Sequence, residues 1–325
     1  MKLRLKDVHS LSGIASVPSF ASLRRSSGCN IGVNGAAFMG SNQGISWGPP
    51  TLLGIPFDAN SSFLRGAAEA PPRIREALRS PASNTWSETG IDIGAAGAFE
   101  DAGDLTLSTE HAFAEIERAV SNVLRQKQRP LVLGGDHSIT YPIIKAFAKT
   151  FSNLTIIHFD AHPDLYDELD GNRYSHACPF ARIMEEKLAK RLIQVGIHTM
   201  NGHQREQAVR FGVEVFELRK LPAFEELKTW CPVYVSFDMD VLDPAFAPGV
   251  SHREPGGISV RDAIRHLHSI TGTIVGADLV EYNPKRDISD VTATVAGKIL
   301  KEMLGKMISE CRCPESSLRA RETVA

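Results

Sequence analysis

Three short apolar runs in this chain end in the same way, each breaking off into side chains of the kind that bind metals. Leu154 to Phe159 gives way to Asp160, His162 and Asp164; Pro130 to Leu133 passes a glycine pair to Asp136 and His137; Pro232 to Phe237 stops at Asp238 and Asp240. The runs are β-branched and nearly continuously apolar, as central strands of a parallel sheet are when both faces are covered. Asp160, His162 and Asp164 alternate with Ala161 and Pro163, so an extended backbone would turn all three to one face. The chemistry then falls at the carboxyl ends of strands, the edge where open α/β sheets bind ligands. Four carboxylates and two imidazoles gathered there without a cation would repel and stay poorly solvated, so the pattern predicts a divalent metal centre. Oxygen-rich donors with two imidazoles suit Mn²⁺ first, with Ni²⁺, Fe²⁺ or Co²⁺ as alternatives; an all-thiolate zinc site is excluded.

The remaining segments predict one large α/β domain over residues 49–310. A 325-residue chain with 42% hydrophobic content can bury a sizeable core. Thr51–Asp58 reads as the first strand, Pro71–Leu78 as a helix opened by proline, and Ala98–Asp104 as a short strand ending in acids. Ser108–Gln128 carries Ala112, Ile116, Val120 and Leu124 at helical spacing, a core-facing stripe. Helix at Ile139–Lys149 and Gln204–Phe211 then alternates with strand at Arg191–Ile197, Val213–Phe216 and Thr273–Val280. Ser259 and Asp262 have capping-box spacing, and a last helix begins near Asp290. Such alternation predicts three layers, α/β/α, around a mostly parallel sheet with right-handed crossovers.

No apolar run approaches the roughly 18 residues of a membrane-spanning helix. A net charge of -2 gives no general attraction to nucleic acid or anionic membrane, so small molecules are the expected partners. Five scattered cysteines argue against a disulfide framework and for a reducing compartment; Cys311 and Cys313 read as a surface thiol pair in a tail spanning 311–325. Residues 1–48 are basic and Ser-rich with only Asp7 as an acid. They read either as a transit peptide, which would take the protein to mitochondria rather than leave it in the cytoplasm, or as a flexible arm that touches another subunit.

Gly-Gly-Asp-His-Ser at 134–138, Asp-Ala-His-Pro-Asp at 160–164 and Ser-Phe-Asp-Met-Asp-Val-Leu-Asp-Pro at 236–244 resemble the three signatures of the arginase/agmatinase (ureohydrolase) family, a similarity running from about Leu52 to Met307. The resemblance implies the arginase-like fold and urea release from a small guanidino substrate. It assigns His137, Asp160, Asp164 and Asp238 to one Mn²⁺ and Asp160, His162, Asp238 and Asp240 to the other, with Asp160 and Asp238 bridging. Two such ions lower the pKa of a shared water enough to supply hydroxide near neutrality. A guanidinium is resonance-stabilised and always protonated, so a carboxylate must orient it. Glu281, on residue type alone an ordinary strand-end acid, matches the family's guanidinium-binding residue. His176 matches its proton-shuttle histidine.

The substrate tail is where the chain departs from animal-type arginases. Tyr166 replaces an asparagine that helps bind the α-carboxylate, Asp170 stands in place of a serine, and Asn201 falls near an acid that recognises the α-amino group. Asn172 on the same loop and His252, which is equally a loop histidine, complete the substrate-binding candidates. The run from Tyr166 to Ala177 is similar to plant-type arginases, and Tyr166 also to agmatinases. Arginine, giving ornithine, and agmatine, giving putrescine, therefore rank together, with 4-guanidinobutyrate behind them. Two other readings stand beside these: a catalytically silent regulatory subunit, which predicts lost ligands, and a hydrolase of another amidine. A homo-oligomer, trimer or hexamer, follows by analogy only. His158 reads as strand core, and Asp136 and Asp243 as structural.

Overall fold

The computed structural model describes residues 45–220, 229, 232–310 and 312–313. The readings of residues 1–44 and of the Cys311 and Cys313 thiols fall outside the described residues and side chains. In chain order the elements are β1 (Ile45–Ser46), β2 (Pro50–Gly54), α1 (Ala70–Leu78), β3 (Glu100–Asp104), α2 (Ala112–Arg125), β4 (Arg129–Leu133), α3 (Thr140–Ala148), β5 (Thr155–Phe159), α4 (Pro179–Glu185), β6 (Arg191–Ile197), α5 (Gly202–Phe211), β7 (Glu214–Glu217), β8 (Val233–Asp238), α6 (Val260–Ser269), β9 (Ile274–Val280), α7 (Val291–Ser309) and β10 (Arg312–Cys313). Eight strands form one sheet in the order β3-β2-β4-β9-β8-β5-β6-β7, every neighbouring pair parallel. β1 and β10 form a separate antiparallel pair.

Burial follows position in the sheet. β4, β5, β8 and β9 are buried throughout, whereas edge strand β3 is mostly exposed and β7 half-buried. The sheet separates two apolar cores. Leu52, Leu131, Ile157 and Phe237 face Ile74 of α1, Leu267 of α6 and Ile299 of α7; on the other side Val132, Ile156 and Tyr234 meet Ile116 of α2, Phe147 of α3 and Phe180 of α4. The predicted stripe of Ala112, Ile116, Val120 and Leu124 is the buried face of α2. These layers are the predicted α/β/α architecture.

Local differences have physical causes. β5 ends at Phe159, and Asp164 takes φ 50, so the ligand segment is a bent loop, not a continued strand. α4, opened by Pro179, has too few turns to have been read from periodicity. At α6 the Ser259 hydroxyl accepts the Asp262 N–H as predicted, but the return bond to Asp262 Oδ2 comes from the same hydroxyl, 2.7 Å away, and not from the backbone.

The exits of β2, β4 and β9 are tied at Gly135: Glu281 N–H donates to Gly135 O at 2.9 Å and Asp136 N–H to Phe57 O at 2.8 Å. A Cβ on Gly135 would sit 1.7 Å from the Phe57 carbonyl oxygen. Gly135→Ala must therefore push apart backbone that carries site residues. We expect a loss of about 3 kcal/mol in urea unfolding, the upper end of ordinary overpacking penalties; a midpoint equal to wild type would refute this close approach.

Candidate metal centre

Four adjacent strands carry the site, in the spatial order β4, β9, β8, β5. Their carboxyl ends lead into His137, Glu281, the Asp238–Asp240 pair, and Asp160 with His162 and Asp164. Two of these exits are 3₁₀ turns capped by an aspartate. Asp136 accepts the Ser138 N–H at 3.0 Å ahead of His137–Ile139, and Asp238 accepts the Asp240 N–H at 2.8 Å ahead of Met239–Val241. An Asx cap stops the strand and aims the following side chains along the sheet edge.

All six predicted ligands converge. His137 Nδ1 lies 3.0 Å from Asp164 Oδ2, 3.0 Å from Asp238 Oδ2 and 3.2 Å from Asp160 Oδ2. His162 Nδ1 lies 3.1 Å from Asp240 Oδ2 and 3.4 Å from Asp160 Oδ1. Five of the six are buried and His162 is partly so. His137 Nδ1 nevertheless makes no hydrogen bond. The far side of the ring explains why. Ser236 Oγ donates to Asp278 Oδ1 at 2.7 Å, and Asp278 Oδ2 accepts from Tyr234 and Thr140, so the Ser236 oxygen is left to accept at 2.9 Å from His137 Nε2–H. With its proton on Nε2, a neutral His137 turns the Nδ1 lone pair toward the carboxylates, an arrangement that needs a cation among them. Without one, against the lowering effect of burial, Asp160, Asp164 and Asp238 hold the imidazole's pKa well above its ordinary value, so a proton takes the cation's place. The donor set therefore fits divalent metal.

Electrostatics agree. Burial, then the neighbouring Asp240 and Asp160 charges, pushes Asp238 well above the usual carboxylate range, and burial with the Asp160 charge moves Asp240 up to about 6. Burial also acts upward on Asp160, but contacts with His158, His137 and His162 outweigh it and hold that carboxyl low.

Beside the ligands, His176 Nδ1 lies 2.9 Å from Glu281 Oε1, which also accepts the His137 N–H at 2.8 Å; His176 Nε2 lies 2.8 Å from Ser62 Oγ. Burial alone would lower His176, yet the Glu281 charge and hydrogen bond bring it up to about 9. Glu281 is pushed up by burial but held below its ordinary value by His176 and the His137 N–H. It occupies left-handed backbone, φ 61, which turns it off the end of β9.

A cavity of about 450 Å³ opens over ligands, His176 and Glu281. The lining also includes the uncharged Ser62, Tyr166, Leu169, Thr199, Met200 and Asn201. Tyr166 OH accepts from Asn201 Nδ2 at 2.7 Å and its ring stacks on His203. Asn201 Oδ1 simultaneously caps α5 by accepting the Gln204 N–H at 2.9 Å, so this candidate also holds a helix. His252 lines the cavity, its ring against those of His176 and Phe63. Two candidates stand apart from the lining. Asp170 is exposed in the turn between Leu169 and Asn172, and the Asn172 side chain binds Asn60 Oδ1 and the Tyr174 N–H. Sequence reasoning places Ser62 on a polar loop that could lie over a site but does not single out Thr199 and Met200, loop residues without periodicity, or Gln204, which reads there only as part of a helix. It also missed the work of Asp136, whose Oδ2 accepts the Asn60 N–H at 2.9 Å and pins the Ser62 loop.

Comparison with known proteins converges on the same elements. Residues 50–305 match the Arginase family. Arginase 1, mitochondrial, of Arabidopsis thaliana is 46% identical over 275 residues, covering 79% of this chain and 80% of that protein. An agmatinase of Bacillus cereus is 32% identical over 281 residues, covering 83% and 96%. The solved arginase from Medicago truncatula superposes with a TM-score of 0.77 at 44% identity, covering 81% of this chain and 88% of that one. With the matched region spanning every strand end that supplies a ligand, the chain belongs to the arginase family.

Proposed function

We propose that this protein is a binuclear-metal ureohydrolase whose substrate is arginine, hydrolysed to urea and ornithine, with agmatine the second reading. The observation that carries the proposal is His137 Nδ1 without a hydrogen bond yet within 3.2 Å of three carboxylates, beside a buried His176–Glu281 pair in one cavity. The likeness to a plant arginase at 46% identity, against 32% to an agmatinase, favours arginine. His137, Asp160, His162, Asp164, Asp238 and Asp240 would hold two Mn²⁺, with Ni²⁺, Fe²⁺ or Co²⁺ as alternatives; when bound, such ions lower the pKa of a water and supply the nucleophile near neutral pH.

The chain's own groups do the rest. Both hydrogen bonds to Glu281 fall on Oε1, leaving Oε2 to accept from the guanidinium and orient its planar carbon. His176, charged because Glu281 raises its pKa, donates the proton that the departing amine requires. The uncharged part of the lining, with Tyr166 and Asn201 joined by a hydrogen bond, would meet the substrate tail through dipoles; His252, its ring beside those of His176 and His162, lines the same cavity. Asp170 and Asn172, outside the lining, would act on the tail only through the loop that carries Tyr166. The proposal extends to a homo-oligomer of three or six copies and, given the mitochondrial name of the Arabidopsis relative and the basic first 48 residues, to a mitochondrial location.

Loaded with Mn²⁺, the protein should release urea from arginine with the highest kcat/KM among arginine, agmatine, 4-guanidinobutyrate and guanidine. An order headed by agmatine would move the assignment to the second reading, and no urea from any of them would end it.

Asp238→Asn separates metal binding from folding. Its carboxyl is raised above an unfolded value near 3.8, so at neutral pH its charge destabilises the metal-free fold. Chelator-treated Asp238→Asn should melt at or above the wild-type Tm. Mn²⁺ should raise the wild-type Tm more than that of the variant, and turnover should fall roughly a thousand-fold. A variant that keeps both the metal response and the rate would remove Asp238 from the centre.

His176→Asn should lower kcat by roughly 10² to 10⁴. In metal-free protein it should also cost stability in a defined window. The folded chain holds the His176 proton up to about pH 9, against 6.5 when unfolded, so the pair stabilises fully below 6.5 and its contribution is lost as pH rises through 9. Glu281, held below its ordinary 4.5, sets the acid limit near that value. The gap in Tm between wild type and variant should be widest near pH 6 and close above 9; a gap independent of pH would mean that the pair is not ionised.

A further inference from the structure

Beneath the ligands runs a second row of polar side chains. Gln194 of β6, His158 of β5, Ser236 of β8 and Asp278 of β9 stand in register across four neighbouring strands, each fully buried within an apolar run. Ser236 and Asp278 orient His137, as described above. The other half of the row is unassigned. His158 stacks on Phe180, ring centroids 3.9 Å apart, with Nε2 2.7 Å from Asp160 Oδ2 and Nδ1 3.1 Å from Gln194 Nε2.

Proximity to Asp160 and His137 would admit His158 as a seventh ligand. The direction of its hydrogen bonds excludes that. Gln194 Nε2 lies 2.6 Å from the Pro163 carbonyl oxygen, and a carbonyl only accepts, so the amide must present nitrogen there. The same nitrogen then faces His158 Nδ1 as a donor. Nδ1 must carry a lone pair, which puts the imidazole proton on Nε2, aimed at Asp160. Neither ring nitrogen is left for a cation. Asp160 consequently has one proton donor on each oxygen, the His162 N–H on Oδ1 at 2.5 Å and His158 on Oδ2. A neutral donor fixes the plane of the carboxylate without cancelling its charge.

We propose that His158 and Gln194 are positioning residues of the metal centre: Pro163 orients Gln194, Gln194 sets the tautomer of His158, and His158 locks the rotation of Asp160. The inference rests on the binuclear reading above, in which Asp160 would be one of the six residues holding the metal. Pro163 lies between His162 and Asp164, so the ligand loop itself selects the proton that holds one of its members.

The test is Mn²⁺ titration of the full, metal-free chain, with the visible spectrum of the Co²⁺-loaded protein as a report on ligand geometry. His158→Phe keeps a stacked ring and loses the donor; His158→Gln restores an amide N–H; Gln194→Met removes control of the tautomer. We expect His158→Phe to weaken Mn²⁺ binding by roughly 10- to 100-fold, the range for loss of an outer-shell partner. His158→Gln should recover most of that, and Gln194→Met should fall between and shift the Co²⁺ bands. Equal affinity in His158→Phe and wild type would overturn the proposal, as would equal weakening in the Phe and Gln variants. Failure of the wild type to bind Mn²⁺ would be a different result, sinking the metal reading and the relay with it.

Discussion

Repulsion among buried carboxylates is the constraint on which the rest of this structure depends. Asp160, Asp164, Asp238 and Asp240 crowd one end of the sheet around two imidazoles. Two unit charges about 4 Å apart repel by about 4 kcal/mol at an effective dielectric of about 20. Several such pairs would exceed what a fold of ordinary stability can absorb. Protonation would relieve this in part, in line with the raised pKa values of Asp238 and Asp240, and two divalent cations would balance the four carboxylate charges. The site is thus built at the expense of the metal-free fold, and the surrounding core, with four fully buried strands, holds it together.

Much of this was legible in the sequence because it depended on one-dimensional patterns. An apolar run that stops in Asp or His at period two marks a strand end, and three of them mark a common edge; the parallel sheet follows, while the choice of the six proposed ligands also needed the family resemblance. The bend after Phe159 was not legible. It depends on Asp164 adopting left-handed backbone, which residue type allows but does not announce. Nor was the division of labour at Asn201, whose amide oxygen caps α5 while its nitrogen holds Tyr166 at the cavity.

The buried row beneath the ligands escaped for a different reason. His158 and Ser236 each precede a ligand aspartate by two residues, and Gln194 and Asp278 sit likewise as single polar residues in apolar strands. A lone polar residue in a strand has no partner in one dimension. Only strand register, β6 to β5 to β8 to β9, reveals that the four are neighbours. The useful signal was their shared offset: polar residues at one level of several buried strands must satisfy one another, since water does not reach them.

The place of β9 has a consequence for assembly. It pairs with β4 on one side and β8 on the other, joining strands that otherwise never touch. Without residues 274–280 the strand pairing would fall into two separate sets, β3-β2-β4 leading to His137 and β8-β5-β6-β7 leading to the other five proposed ligands. The strand that completes the sheet is thus the one that leads directly into Glu281, so the proposed metal ligands and the proposed guanidinium-binding acid are brought together by the same pairing.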